Sequence, residues 1–313
     1  MQIFLARTQG FCAGVARAIQ TVERTIESCG TPLYVFHEIV HNTSVVNKFK
    51  AKGVIFVNAI NDVPAGSRII FSAHGVSPAV LDEAQAKGPL CIDATCPLVA
   101  KVHNEAALFS SQDIPVILIG HKGHEEVEGT AGYVRPGLLH IVSSLKDIDE
   151  LKIPAHQKAA VITQTTLAVD DTRSRILSLR ARFPRLTCPD HQDICYATQN
   201  RQQSVKELAG ILSSASHEKR MTIICGSPNS SNSNRLQEIS NQLGVQSLII
   251  DHAGELDTAL LAGKTHVGIS SGASVPRHLV DEIIARIRTA FPGTTVTAFE
   301  NPEKDIIFPL PGI

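Results

Sequence analysis

The chain has 313 residues, of which 43% are hydrophobic and 19% charged, and its formal net charge is -1. That length holds two or three small domains. The near-neutral balance argues against a general nucleic-acid or membrane-surface binder. There is no charged-then-apolar leader, and no apolar run approaches the roughly 18 residues of a membrane span, so a cytoplasmic protein is expected.

In chain order, QIFLA reads as a strand, Arg7 to Cys12 as a loop, and the stretch from Ala13 as a helix with Val15, Ile19, Val22 and Ile26 on one apolar face. LYVF is a strand whose following loop carries His37 and His41. Another helix, the strand VIFVN and the strand RIIFSAH come next. The last of these delivers His74 into Gly75-Val76-Ser77-Pro78, with Ser77 placed to cap a helix. The apolar run Cys91 to Thr95 then meets Cys96 at a turn. Pro97 opens the next helix, where its missing N–H costs nothing.

VILIG gives way to a loop with His121, His124 and Glu126, and AAVIT to a loop with Thr165 and Thr166 ahead of a helix. Cys195 precedes a polar helix start. MTIIC runs through Asn229-Ser230-Ser231-Asn232-Ser233 into a helix, and HVGISS repeats that plan through Gly272, Ala273 and Ser274. The tail NPEKDIIFPLPGI is irregular.

Repeated strand–loop–helix units argue for α/β lobes with mostly parallel sheets. Cys12, Cys96 and Cys195 fall at matching strand-to-helix transitions, at roughly even intervals. Three similar lobes are therefore expected, at 1–95, 96–193 and 194–313, with the N-terminal strand and Cys12 loop able to pack with the third. Open α/β sheets bind ligands beyond the carboxyl ends of their strands, where nearly all these polar motifs lie. Three lobes turning those ends inward would form one central site.

Seven cysteines with no CxxC pair speak against a disulfide framework or a zinc ribbon. A single cysteine of this kind is usually a small packed hydrophobe. Three in equivalent settings at helix starts, where a thiolate is stabilised, point instead to shared metal ligation. Cys29, Cys91, Cys188 and Cys225 have no such setting. Three thiolates suit zinc with an open position, or an iron–sulfur cluster with one iron left for substrate. His41, His74 and His124, with Glu126, suit a phosphate-binding pocket that holds a general acid, although the histidines could also ligate metal. The Ser/Asn run exceeds what one helix cap needs and makes an anion cradle. No GxGxxG or GxxxxGK[ST] is present.

Together GFCAGVARAI, HEIVHN, FSAHGVS, DATCPLVAKVH, HKGHEEVEGT, TQTTLAVDDT, DICYATQNRQ, GSPNSSNSNRL and SSGASVP resemble the 4-hydroxy-3-methylbut-2-enyl diphosphate reductases of the non-mevalonate isoprenoid pathway. The resemblance runs in order from residue 10 to about residue 280. It implies a trefoil of three α/β lobes around one [4Fe–4S] cluster held by Cys12, Cys96 and Cys195; separately, no long heptad or large apolar stripe marks an obligate oligomer, so a monomer is expected. The resemblance implies a diphosphate held by His41, His74, Ser230, Ser231, Asn232 and Ser274, with His124 lining the pocket. Glu126 would supply the proton and Thr165 would bond near the allylic hydroxyl. Reduced ferredoxin or flavodoxin would deliver two single electrons, yielding isopentenyl or dimethylallyl diphosphate. Glu125, where the family often has proline, and Arg277, where an acid is expected, depart from the pattern. Two rival readings are a zinc hydrolase built on the histidines and Glu126, and a non-enzymatic iron–sulfur sensor that needs only the cysteines.

Overall fold

The computed structural model describes residues 1–188, 193–303 and 306–312. Along the chain the elements are β1 (Gln2–Leu5), α1 (Ala13–Cys29), β2 (Leu33–Phe36), α2 (Thr43–Ala51), β3 (Val54–Val57), β4 (Arg68–Phe71), α3 (Pro78–Lys87), β5 (Leu90–Asp93) and α4 (Pro97–Ser111). These are followed by β6 (Val116–Ile119), α5 (Glu125–Ala131), β7 (Leu139–Val142), α6 (Leu145–Asp149), β8 (Ala159–Thr163), α7 (Val169–Arg182), β9 (Leu186–Thr187) and α8 (Tyr196–Leu212). The last are β10 (Arg220–Cys225), α9 (Ser231–Gln242), β11 (Ser247–Ile250), β12 (His266–Ser271), α10 (Arg277–Ala290) and β13 (Thr295–Thr297). The described part of the tail from 301 onward forms no strand or helix; Lys304, Asp305 and Ile313 of the expected irregular tail lie outside the described residues.

Among the described residues every strand pairing is parallel, and the strands form three sheets. Their orders are β3-β2-β4-β5, β7-β6-β8-β9 and β11-β10-β12-β1-β13. A strand covered on both faces must be apolar throughout, not alternating. The inner strands obey this: LYVF of β2, VILI of β6 and AAVIT of β8 are buried at every position. Edge strands do not, and β5 leaves Leu90, Cys91 and Asp93 exposed. Cys91 thus faces solvent, unlike the packed cysteine its apolar run suggests. Cys225, inside β10, is fully buried, and burial pushes its thiol up to about 12.

By internal contacts the chain falls into two compact units. The first comprises Met1–Ala16, His41–Lys48 and Tyr196–Ile307 and contains the five-stranded sheet. Its core joins Ile3 and Leu5 to Ile223, Val267, Ile269, Val280, Ile283 and Ile287. The second comprises Arg17–Val40, Phe49–Cys195 and Phe308–Ile313 and contains both four-stranded sheets. One of its cores gathers Tyr34, Phe36, Ile69 and Phe71, another Ile117, Ile119, Val161, Leu179 and Phe183. No helix among the described residues is long and apolar enough to cross a membrane.

Candidate active site

In the second unit the polar groups converge on Glu126. Helix α5 starts at Glu125, with His124 in extended conformation at its N-cap, and His124 Nδ1 accepts the Glu126 N–H at 3.2 Å. This satisfies one of the four N–H groups that a helix start leaves unpaired. Glu126 is 2% exposed. Thr165, just beyond β8, donates its backbone N–H to Glu126 Oε1 at 2.6 Å and its hydroxyl to Oε2 at 2.9 Å. Burial pushes the Glu126 carboxyl above the usual carboxylate range, against the two Thr165 hydrogen bonds and the nearby His74, which favour ionisation. Desolvation dominates because the charged form loses its water while the neutral form loses little.

Thr165 also reaches a candidate ligand, since its carbonyl accepts the N–H of Cys195 at 3.2 Å. Two residues before Cys195, the buried Asp193 accepts from Lys101 Nζ at 2.9 Å and from the Thr163 N–H at 3.1 Å. Burial pushes the Asp193 carboxyl up to about 6, opposed by its bond to Lys101. Lys101 stands on α4, whose N-cap is Cys96. One ion pair thus joins the helix that begins at Cys96 to the chain entering Cys195.

Cys96 is fixed by its own backbone: its N–H donates to Ala73 O at 3.0 Å, and its carbonyl accepts from Val99 and Ala100 at 2.9 Å. The adjoining turn from Ser72 to Gly75 presents His74, whose Nδ1 lies 3.4 Å from Ser72 Oγ and 3.0 Å from Glu125 Oε2. The His74 and His124 rings meet edge-on with centroids 6.1 Å apart. Gly75 has φ +74°, and a Cβ there would lie 2.5 Å from the His103 ring. Only glycine permits both the left-handed turn and that approach. His103, stacked on Tyr133 at 4.4 Å, is buried, and burial lowers its imidazole to about 4. Ser77 occupies the α3 N-cap as expected, but its hydroxyl makes no capping bond.

In the first unit Cys12 precedes α1, and its Sγ accepts the Val15 N–H at 3.4 Å while its own N–H donates to Ala273 O at 3.1 Å. The loop ahead of it is anchored by Gly10 N–H to Ser271 Oγ at 3.1 Å and by Arg201 Nη2 to Gly10 O at 2.7 Å. Arg201 is fully buried and pairs with Glu303 at 3.0 Å. Neither Arg201 nor Glu303 stood out in the sequence, and no local pattern marks them.

The Ser/Asn run starts α9. Ser230 caps it, accepting the Ser233 N–H at 3.3 Å and the Ser233 hydroxyl at 3.1 Å, and Ser231 is the first helical residue. A Cβ on Gly226 or on Gly272 would lie 2.2 Å from Ser233 Oγ, so both glycines let this helix start approach the ends of β10 and β12. Asn232 Oδ1 accepts from Ala273 N–H at 3.1 Å, whereas its Nδ2 is a buried donor without a protein partner. Ser274 Oγ donates to His41 O at 2.9 Å. His41, Ser230, Ser231, Asn232 and Ser274 therefore belong to one unit, and His74, His124, Glu126 and Thr165 to the other.

Cys12, Cys96 and Cys195 each immediately precede a helix and are partly exposed, in contrast to the sealed thiol of Cys225. Such a set of soft donors fits an iron–sulfur group.

Comparison with known proteins agrees with these motifs. A family model described as LytB protein matches residues 3–288. A 4-hydroxy-3-methylbut-2-enyl diphosphate reductase of Burkholderia mallei is 49% identical, over 99% of this chain and 92% of its own length. The enzyme so named from Neisseria meningitidis is 48% identical, over 99% and 94%. Among solved structures, the E-1-hydroxy-2-methyl-but-2-enyl-4-diphosphate reductase from Plasmodium falciparum superposes with a TM-score of 0.92 at 35% identity, over 99% of this chain and 95% of that one. With three parallel sheets, the ordered motifs and a match over nearly its whole length, the chain belongs to the LytB protein family.

Proposed function

We propose that this protein reduces 4-hydroxy-3-methylbut-2-enyl diphosphate to isopentenyl and dimethylallyl diphosphate. Two electrons and two protons would replace the allylic hydroxyl by hydrogen and release water. Cys12, Cys96 and Cys195 would hold one [4Fe–4S] cluster, which supplies single electrons and a Lewis-acidic iron for the hydroxyl. The reading rests on the named relatives and on one local arrangement, in which Thr165 ties the buried carboxyl of Glu126 to the backbone of Cys195.

In this reading Glu126 is the proton donor. Burial raises the proton affinity of this carboxyl, which suits it to general-acid work on a leaving hydroxyl. Thr165 holds it in place and can pass a hydrogen bond to the substrate oxygen. His41, His74, Ser230, Ser231, Asn232 and Ser274 would bind the diphosphate, with His124 beside it. The unpartnered Asn232 Nδ2 and the α9 N-terminus are the donors an anion requires. A bound anionic ligand nearby would favour the protonated form of Glu126 further.

Reduced ferredoxin or flavodoxin would deliver the electrons, to a monomer with three lobes at 1–95, 96–193 and 194–313 in the cytoplasm. The test is anaerobic turnover of the allylic diphosphate with a chemical reductant. Conversion by the wild-type protein, abolished by Glu126→Gln with iron content unchanged, supports the assignment. A wild-type protein with a full cluster and no conversion would refute it.

A further inference from the structure

We propose that Glu125 is a positioning residue for His74, holding its ring so that the opposite nitrogen meets an anionic ligand. The inference rests on the reading above, in which His74 binds the diphosphate. Glu125 is the first residue of α5, and its Oε2 lies 3.0 Å from His74 Nδ1; its Oε1 lies 3.9 Å from His37 Nδ1. Both partners of the closer pair are largely shielded, with side-chain exposures of 16% for His74 and 26% for Glu125. The contact is therefore less screened than an open surface pair.

A carboxylate on Nδ1 selects the Nδ1–H form of the ring and fixes its plane, as carboxylates do behind ligand-binding histidines elsewhere. With Nδ1 turned to Glu125, the ring presents Nε2 on the opposite side, toward the ligand. His74 also stands edge-on to His124, with ring centroids 6.1 Å apart. Glu125 does not touch the carboxyl clamp of Glu126 and Thr165 in any of the bonds described. Its loss should therefore weaken ligand binding and leave the chemical step alone.

The test uses inorganic diphosphate binding, steady-state kinetics and the imidazole nitrogen chemical shifts of His74. Glu125→Ala removes the acceptor. Glu125→Pro removes it too while suiting the first helical position. Glu125→Gln keeps a neutral acceptor at the same reach. We expect Ala and Pro to weaken diphosphate binding and raise KM by roughly tenfold, the lower end for loss of such a supporting partner, with kcat unchanged. Gln should fall between these and wild type, and the Nδ1–H signature of His74 should be lost in Ala and Pro. Unchanged or tighter diphosphate binding in Ala and Pro, with His74→Ala impaired, would overturn the inference and leave the functional reading intact. Undiminished binding in His74→Ala would remove His74 from the phosphate site. The nitrogen shifts then decide the positioning claim by themselves, since an Nδ1–H signature that survives Glu125→Ala overturns it.

Discussion

Thr165 grips both oxygens of Glu126, one through its backbone N–H and one through its hydroxyl, while its carbonyl receives the N–H of Cys195. A buried carboxyl needs hydrogen-bond partners, and here two donors from one residue hold it in a single orientation. Glu126→Gln preserves shape and one acceptor oxygen, its NH2 having to donate to the Thr165 hydroxyl instead of accepting from it, and it removes the transferable proton. Turnover should fall by about 100-fold or more, with iron and sulfide retained. Assaying both on one preparation checks this.

The same carboxyl gives a pH signature. Its folded value is raised, so the unfolded chain ionises first and the folded state holds the extra proton. The stability it contributes is full below the ordinary carboxylate range and is lost as pH rises toward the folded value. Glu126→Gln lacks this loss. Urea titrations should show the variant gaining on wild type as pH rises, by about 1.4 kcal/mol per pH unit inside that window, with the two converging in acid.

Lys101 should matter more than a half-exposed lysine usually does. Lys101→Met leaves the Asp193 carboxyl buried with only the Thr163 N–H as a described donor. The cost should be about 2 kcal/mol, read as a lower urea midpoint. Because Asp193 adjoins Cys195, the variant should also lose iron faster to a chelator.

Arg201 and Glu303 form a pair almost without solvent, with exposures of 0% and 6% at their side chains. Asn200 Nδ2 donates to the other Glu303 oxygen at 3.0 Å. Glu303→Ala strands a buried guanidinium, and should cost about 3 kcal/mol or more. Since Arg201 also donates to Gly10, two residues before Cys12, alkylation of Cys12 in the cluster-free protein should accelerate.

Much of this architecture is legible in the sequence because the inner strands are buried on both faces. VILI, AAVIT and MTIIC have to be apolar runs, and each ends in the Gly, Ser, Thr or His residues that form the site. The strands β7, β9, β11 and β13 leave no comparable mark. Only one residue in each of β7 and β11 is buried, and none in β9 or β13, so pairing with a neighbour makes them strands rather than their own pattern. Cys96 and Cys195 are visible because a helix start follows each of them. The partners that hold these loops are not: Lys101 and Asp193, or Arg201 and Glu303, are far apart in the chain and read as ordinary charges. Glu125 is visible only as a departure, and its bond to His74 supplies a physical reason for it.

The central claim is that Cys12, Cys96 and Cys195 hold an iron–sulfur cluster. The most direct measurement is the iron and acid-labile sulfide content of protein purified without oxygen, on wild type and on each cysteine changed to serine. About four irons and four sulfides per chain, lost in each of those three variants and kept in Cys225→Ala, is the predicted result. Zinc without labile sulfide, after anaerobic handling and attempted reconstitution, would contradict the account.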